Sequence, residues 1–311
     1  MRPTYKQSLE AFSVVLLAGA CLSPGSGRER SDHVLVEGLS EPKGIATGAR
    51  GRFVVADAGT HQVVVFDARG EELARFGESL LEEPLGIAVD ADGSILVSDE
   101  LANHVHRFDP SGRLLQSFGE TGDGPGQFSG AGPLDVAPDG TIYVVDVDHD
   151  RIQAFDRSGG FLFAFGKKGR FGDSSPGELY FPGGLAVDVE GRIYVSDTHD
   201  FRIQRFSSQG KVERVWGHQG TWIGEFDHPF GLAIDDGRGL VYVADDHVKL
   251  EGGGNRIRVF SLAGEPQSEL GHGDLEHPFD VAIGPGGRIL VSERGAGRIK
   301  SFAPGAPSEN P

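Results

Sequence analysis

Pro182 to Phe206 reads PGGLAVDVEGRIYVSDTHDFRIQRF, and the same order of residue types recurs through the chain. A proline leads into a short apolar run, a Gly turn, a second apolar run closed by an acid, then a basic residue, Ile or Val, and an aromatic. Further copies start at Pro42, Pro84, Pro133, Pro229 and Pro278, so successive copies are spaced by 42, 49, 49, 47 and 49 residues. Leu185 to Asp188 is small and apolar on both faces, which suits a strand buried on both sides. Glu190-Gly191 marks a tight turn, as do Asp92-Gly93 and Asp139-Gly140 in other copies, because Gly accepts the positive φ that such hairpins need. A second strand is predicted at Ile193 to Ser196, ending on Asp197, and a third at Arg202 to Phe206. A fourth closes on an aromatic or Leu followed by Gly: Phe76-Gly77, Phe118-Gly119, Phe165-Gly166, Trp216-Gly217 and Leu270-Gly271.

One four-stranded sheet cannot bury both of its faces, whereas sheets stacked around an axis can. A period near 45 built of short strands therefore predicts an all-β, six-bladed β-propeller with four-stranded blades. The sixth copy runs out after its third strand, near Ala303. Asp32 to Glu37 (DHVLVE) is expected to supply the missing strand, closing the ring and removing exposed edges. Phe66, Phe108, Phe155, Phe206, Phe260 and Phe302 share one repeat position and read as core between blades.

The pattern resembles the NHL repeat, named for an Asn-His-Leu stretch after the second strand. The matching stretches are His61-Gln62-Val63, Asn103-His104-Val105, Asp150-Arg151-Ile152, Phe201-Arg202-Ile203, Asn255-Arg256-Ile257 and Gly297-Arg298-Ile299. The resemblance runs from Pro42 to Phe302. It implies a propeller but does not choose among adaptor or scaffold domains, RNA-binding domains and lyases. Peptidyl-hydroxyglycine lyases with NHL-like repeats bind zinc through histidines directly after the repeat proline. The matching positions here are Lys43, Leu85, Leu134, Gly183, Phe230 and Phe279, with no histidine among them, which argues against a lyase of that design.

Composition and chain ends narrow the setting. Residues 1–20 resemble a secretion signal, with Arg2 and Lys6 ahead of a short apolar stretch ending Ala18-Gly19-Ala20. Cys21, the one cysteine, follows directly and is the expected lipid-modified residue of a bacterial lipoprotein, although Ala18 stands where that pattern carries Leu. Residues 21–31 read as a tether, 32–303 as the propeller and 304–311 as a disordered tail. The expected location is extracytoplasmic, with membrane attachment only through the anchor. A lone cysteine forms no internal disulfide. Net charge is −17, from 29 basic and 46 acidic residues, which disfavours nucleic acid. Lys167, Lys168 and Arg170 form a local basic cluster that reads as a solvated loop.

In such blades the loop leading into the first strand and the loop between strands two and three share one face. The leading loops Glu120 to Gly132, Lys167 to Phe181 and His218 to His228 are long and Gly-rich, and blade five expands its second loop between Asp245 and Arg256. Departure from the repeat on that face is the pointer to binding. The candidate binding residues are Lys43, Leu85, Phe230 and Phe279 at the channel mouth, Trp222 in a leading loop, and His247, Lys249 and Glu251 in the blade-five expansion. Histidines also gather there, but on different blades they point in different directions, and no metal site is assigned. The acids ending strand two (Asp57, Asp99, Asp146, Asp197, Asp245, Glu293) recur in every blade and are expected to fix loops by accepting backbone hydrogen bonds.

The leading expectation is a monomeric binding or scaffold propeller for a protein, peptide or glycan, needing no cofactor. The alternative is a calcium- or zinc-dependent channel enzyme, like the lactonases or lyases built on related propellers. Asp135 and Asp280, one position inward from the mouth in blades three and six, would then carry the chemistry with His149 or His199.

Overall fold

The structure, a computed structural model, describes residues 32–247 and 254–304. Cys21, Lys249, Glu251 and the tail from 305 lie outside them. Among the described residues there are six four-stranded antiparallel sheets, five with strands in chain order from the inside out and the sixth completed on its outside by the N-terminal strand. Blade 4 comprises Pro182–Val187, Ile193–Asp197, Arg202–Phe206 and Val212–Trp216. The first strand thus begins at the repeat proline, earlier than Leu185. Pro182 faces Asp197 across the ladder, and the register shifts between Pro182 and Gly184. An innermost, edge-facing position tolerates a residue with no N–H to donate.

The ring closes as expected. His33–Glu37 pairs antiparallel with Arg298–Phe302 and forms the outer strand of blade 6. Val36 and Leu39 pack with Ile45, Phe53 and Phe66 of blade 1 and Leu290 and Ile299 of blade 6, so the closing seam has its own apolar core. The six repeat phenylalanines are between 0% and 2% exposed. Gly93, Gly140 and Gly191 have φ of 85°, 89° and 78°, the conformation their turns require.

The long leading loops carry structure of their own. Glu120–Thr121 pairs in parallel with Gln127–Phe128, and Lys167–Lys168 with Glu178–Leu179. A single parallel bridge, Gln219 to Phe226, does the same in blade 5. Buried Gln153 and Gln204, on the third strands of blades 3 and 4, hold these ladders. Each accepts a hydrogen bond from a loop amide (Gly126 or Gly177, 2.9 Å) and donates to a loop carbonyl (Gln127 or Glu178, 2.6 Å).

Candidate functional site: channel and loop-bearing face

First strands of all six blades line an axial cavity of about 210 Å³, far above the roughly 10–15 Å³ that one water needs. Its wall is Gly, Ala, Val, Leu, Ile, Pro and Phe with Thr47, and only two titratable groups, Asp135 and Asp280. Four blades carry Gly at that wall position because the next blade presses against it. A Cβ on Gly184 would collide with the Phe230 carbonyl oxygen and lie 2.8 Å from its carbon. Blades 3 and 6 carry Asp instead, and each carboxylate reaches across a seam. Asp135 Oδ2 accepts from the Val187 amide of blade 4 (2.8 Å), and Asp280 Oδ2 accepts from the Ile45 amide of blade 1 (3.0 Å). Their second oxygens accept from Val136 and Val281. By surface area the two residues are half-buried, because they face the channel. Surrounding protein nonetheless pushes Asp135 up to about 6 and Asp280 up to about 7, and the Asp135 charge adds to the rise at Asp280.

The residues that follow the repeat prolines pack against their neighbours at the mouth. Phe230 stacks on Phe279, with centroids 5.5 Å apart, and the Arg294 guanidinium lies over Phe279 at 5.8 Å. Lys43 Nζ is 2.6 Å from Glu83 and 3.9 Å from Glu100. Lys43, Leu85, Phe230 and Phe279 are only 1–5% exposed, so they offer a partner little surface. Neither His149 nor His199 lines the channel. His149 sits 2.9 Å from both Asp146 oxygens and from Asp123, joining blade 3's recurring acid to its leading loop. His199 stacks on Phe181 at 4.6 Å.

The acids that end strand two do the same work in every blade. Asp57 accepts from the Ser40 and Glu41 amides, Asp99 from Glu82 and Glu83, and Asp146 from Ser129. Asp197 accepts from Tyr180, Asp245 from Asp227 and His228, and Glu293 from Glu276. Each fixes its own leading loop, and in most blades an arginine pairs with it: Arg151, Arg202 and Arg298 approach to 2.7–2.8 Å.

On the loop-bearing face of blades 4 and 5 the side chains differ from the repeat. Trp222 is 78% exposed, Phe171 62% and Ile223 56%. Phe171 rests edge-on against Phe201 (5.6 Å), His199 (6.0 Å) and Tyr180 (6.2 Å), with His228 6.1 Å from Phe201. His247 is buried, its Nδ1 2.6 Å from Asp227 Oδ2, while His228 Nδ1 is 3.5 Å from the same oxygen. Burial pushes Asp227 up, but its pairing with His228 and His247 outweighs that and leaves its pKa lowered. Among the described residues no three His, Cys, Asp or Glu side chains are grouped as metal ligands. Phe171 and Ile223 are exposed apolar residues that the repeat pattern does not single out. The signal was present: Phe171 falls in a Gly-, Asp- and Ser-rich loop, outside the repeat's aromatic position.

An NHL repeat model matches residues 39–66 and 179–206. Protein brain tumor of Drosophila melanogaster is 27% identical over 126 residues, which is 40% of this chain and 12% of that protein. Among solved structures, virginiamycin B lyase from Staphylococcus aureus superposes with a TM-score of 0.58 at 16% identity, over 86% of this chain and 83% of the lyase. A gluconolactonase from Xanthomonas campestris superposes with a TM-score of 0.61 at 18% identity, over 88% of this chain and 89% of its own. At such identities the likeness concerns the fold alone. The chain is a six-bladed β-propeller that carries NHL repeats at 39–66 and 179–206.

Proposed function

We propose that this protein is an extracytoplasmic binding module that holds a protein or peptide partner on the loop-bearing face of blades 4 and 5. The observation that carries this reading is the trio Phe171, Trp222 and Ile223, all more than half exposed, on neighbouring loops braced by parallel pairing. Large apolar side chains held rigidly in water have no folding role and suit a contact surface. Aromatic rings lose little side-chain freedom on contact, which favours them as anchors. In the same reading Cys21 is lipid-modified and residues 22–31 span the gap to the membrane.

The test is capture from envelope extract by the wild-type chain and by W222A/I223S. The expected result is a discrete set of retained proteins that the variant loses, with thermal stability unchanged. Equal retention by both chains would remove this face from the account. Incorporation of labelled fatty acid, lost in C21S, checks the anchor.

The enzyme reading has one observation in its favour, the two channel carboxylates with raised pKa. Their oxygens already accept amide hydrogen bonds across and within the seams. Hydrolysis of lactones or esters that is lost in D135N and D280N would support it over the binding module.

A further inference from the structure

We infer that the blade-4 leading loop is a docking site for an acidic peptide segment bearing an aromatic side chain. Lys168 and Arg170 would pair with its carboxylates and Phe171 would pack on its ring. This rests on the loop-face reading proposed above and names the partner's chemistry.

The surrounding charge makes the loop unusual. The chain carries −17 overall, and on this face Arg151 is held by Asp146, Arg202 by Asp197 and Arg298 by Glu293, while Arg294 lies over the Phe279 ring. Within the loop, Lys167 pairs with Glu178 at 3.1 Å. Lys168 and Arg170 are exposed and make no ion pair among the described residues. Lys168 and Arg170, without an ion pair among the described residues, thus stand three and one positions ahead of a 62% exposed phenylalanine. A partner that supplies carboxylates would gain attraction here, while a basic partner would meet repulsion.

The loop is also built to hold that arrangement. The Gly169 amide donates to the Leu179 carbonyl at 2.8 Å, and the Gly172 amide to the His199 carbonyl at 3.3 Å. Ser174 Oγ accepts from the Arg170 amide at 2.7 Å and donates to the Arg170 carbonyl at 2.9 Å. Gly169 has no room for a side chain, because a Cβ there would strike Ser174 Oγ. One edge of Phe171 rests on the Tyr180, His199 and Phe201 bed, and the other side is open. Such preorganisation lowers the ordering cost of binding. An acidic glycan could satisfy the cations, but the aliphatic Ile223 beside Trp222 favours a peptide's apolar side chains over sugar hydroxyls.

The experiment is fluorescence anisotropy on the full chain with three labelled pentapeptides: Glu-Glu-Phe-Glu-Glu, Lys-Lys-Phe-Lys-Lys and Glu-Glu-Ser-Glu-Glu. The acidic aromatic peptide should bind saturably, about tenfold or more tighter than the other two, and weaken with added salt. K168E/R170E should lose that binding and gain the Lys-Lys-Phe-Lys-Lys peptide, a reversal that mere loop damage would not produce. F171A should weaken binding with the salt dependence retained. Binding unchanged in K168E/R170E, or no binding of the acidic aromatic peptide, overturns the assignment. So does an oligogalacturonate that binds as tightly as that peptide. If K168E/R170E has no effect but W222A/I223S still loses captured proteins, the loop-face reading stands and only the acidic docking site falls.

Discussion

Asp135 and Asp280 tie two seams of the ring, and holding them charged there works against folding. Their pKa values rise from an ordinary 3.8 to about 6 and about 7 in the folded chain. A carboxylate raised in this way binds protons more tightly folded than unfolded. Its contribution is therefore fully present below the unfolded pKa and is lost as pH rises through the folded pKa. Between pH 5 and 8 the wild-type chain should lose on the order of 1–3 kcal/mol per carboxylate by this route, with channel water screening part of it. Urea titrations across that window should display the loss, and D135N/D280N should reduce it, leaving the part due to Asp197. Burial raises the recurring acids Asp197 and Asp245 as well, so they add a loss of the same sign. Asp197 accepts from Tyr180, Arg202 and Gln204, so D197A strips the Tyr180 amide of its acceptor and the Arg202 guanidinium of its carboxylate partner, leaving Arg202 and Gln204 their loop carbonyls. It should cost roughly 3–5 kcal/mol, against less than about 0.5 kcal/mol for F171A at the surface.

At the scale of the element, the first strands and the hairpins follow from apolar runs and Gly turns, and were legible in one repeat. The leading loops were not. Their length was visible, but parallel pairing of two-residue strands leaves no periodic trace. What fixes them is a single buried side chain on the third strand. Arg-Ile-Gln occurs at 151–153 and 202–204, the two blades with the longest ladders, and that Gln was the readable mark. Blade 5 substitutes Arg258, which donates to the Thr221 carbonyl at 2.9 Å. Gln204→Leu should release the ladder of blade 4. Exchange at the Gly177 amide should accelerate, and stability should drop by about 1–3 kcal/mol from the unsatisfied loop groups. Protection unchanged at Gly177 would assign the loop's order to the parallel pairing alone.

For the whole molecule, six agreeing registers made the ring readable, and the early end of the sixth copy pointed to its closing strand. The mouth was harder. Leu85 and Phe279 line the channel, but the burial of Lys43, Leu85, Phe230 and Phe279 depends on how neighbouring side chains meet. Phe230 meets Phe279, and Lys43 meets Glu83, contacts between blades that no single repeat encodes. Closure itself can be tested through Val36, which is 8% exposed in the closing seam. V36D puts a charge against that apolar cluster and should cost roughly 2–5 kcal/mol, with unfolding beginning at the seam between blades 6 and 1. The most direct test of the binding module is a photo-crosslinker placed at position 222 in cells, beside a control at Leu73, a 48% exposed residue on the outer strand of blade 1. The account predicts a discrete crosslinked partner from position 222 and none from position 73. Crosslinks absent from both, or the same from both, would contradict it.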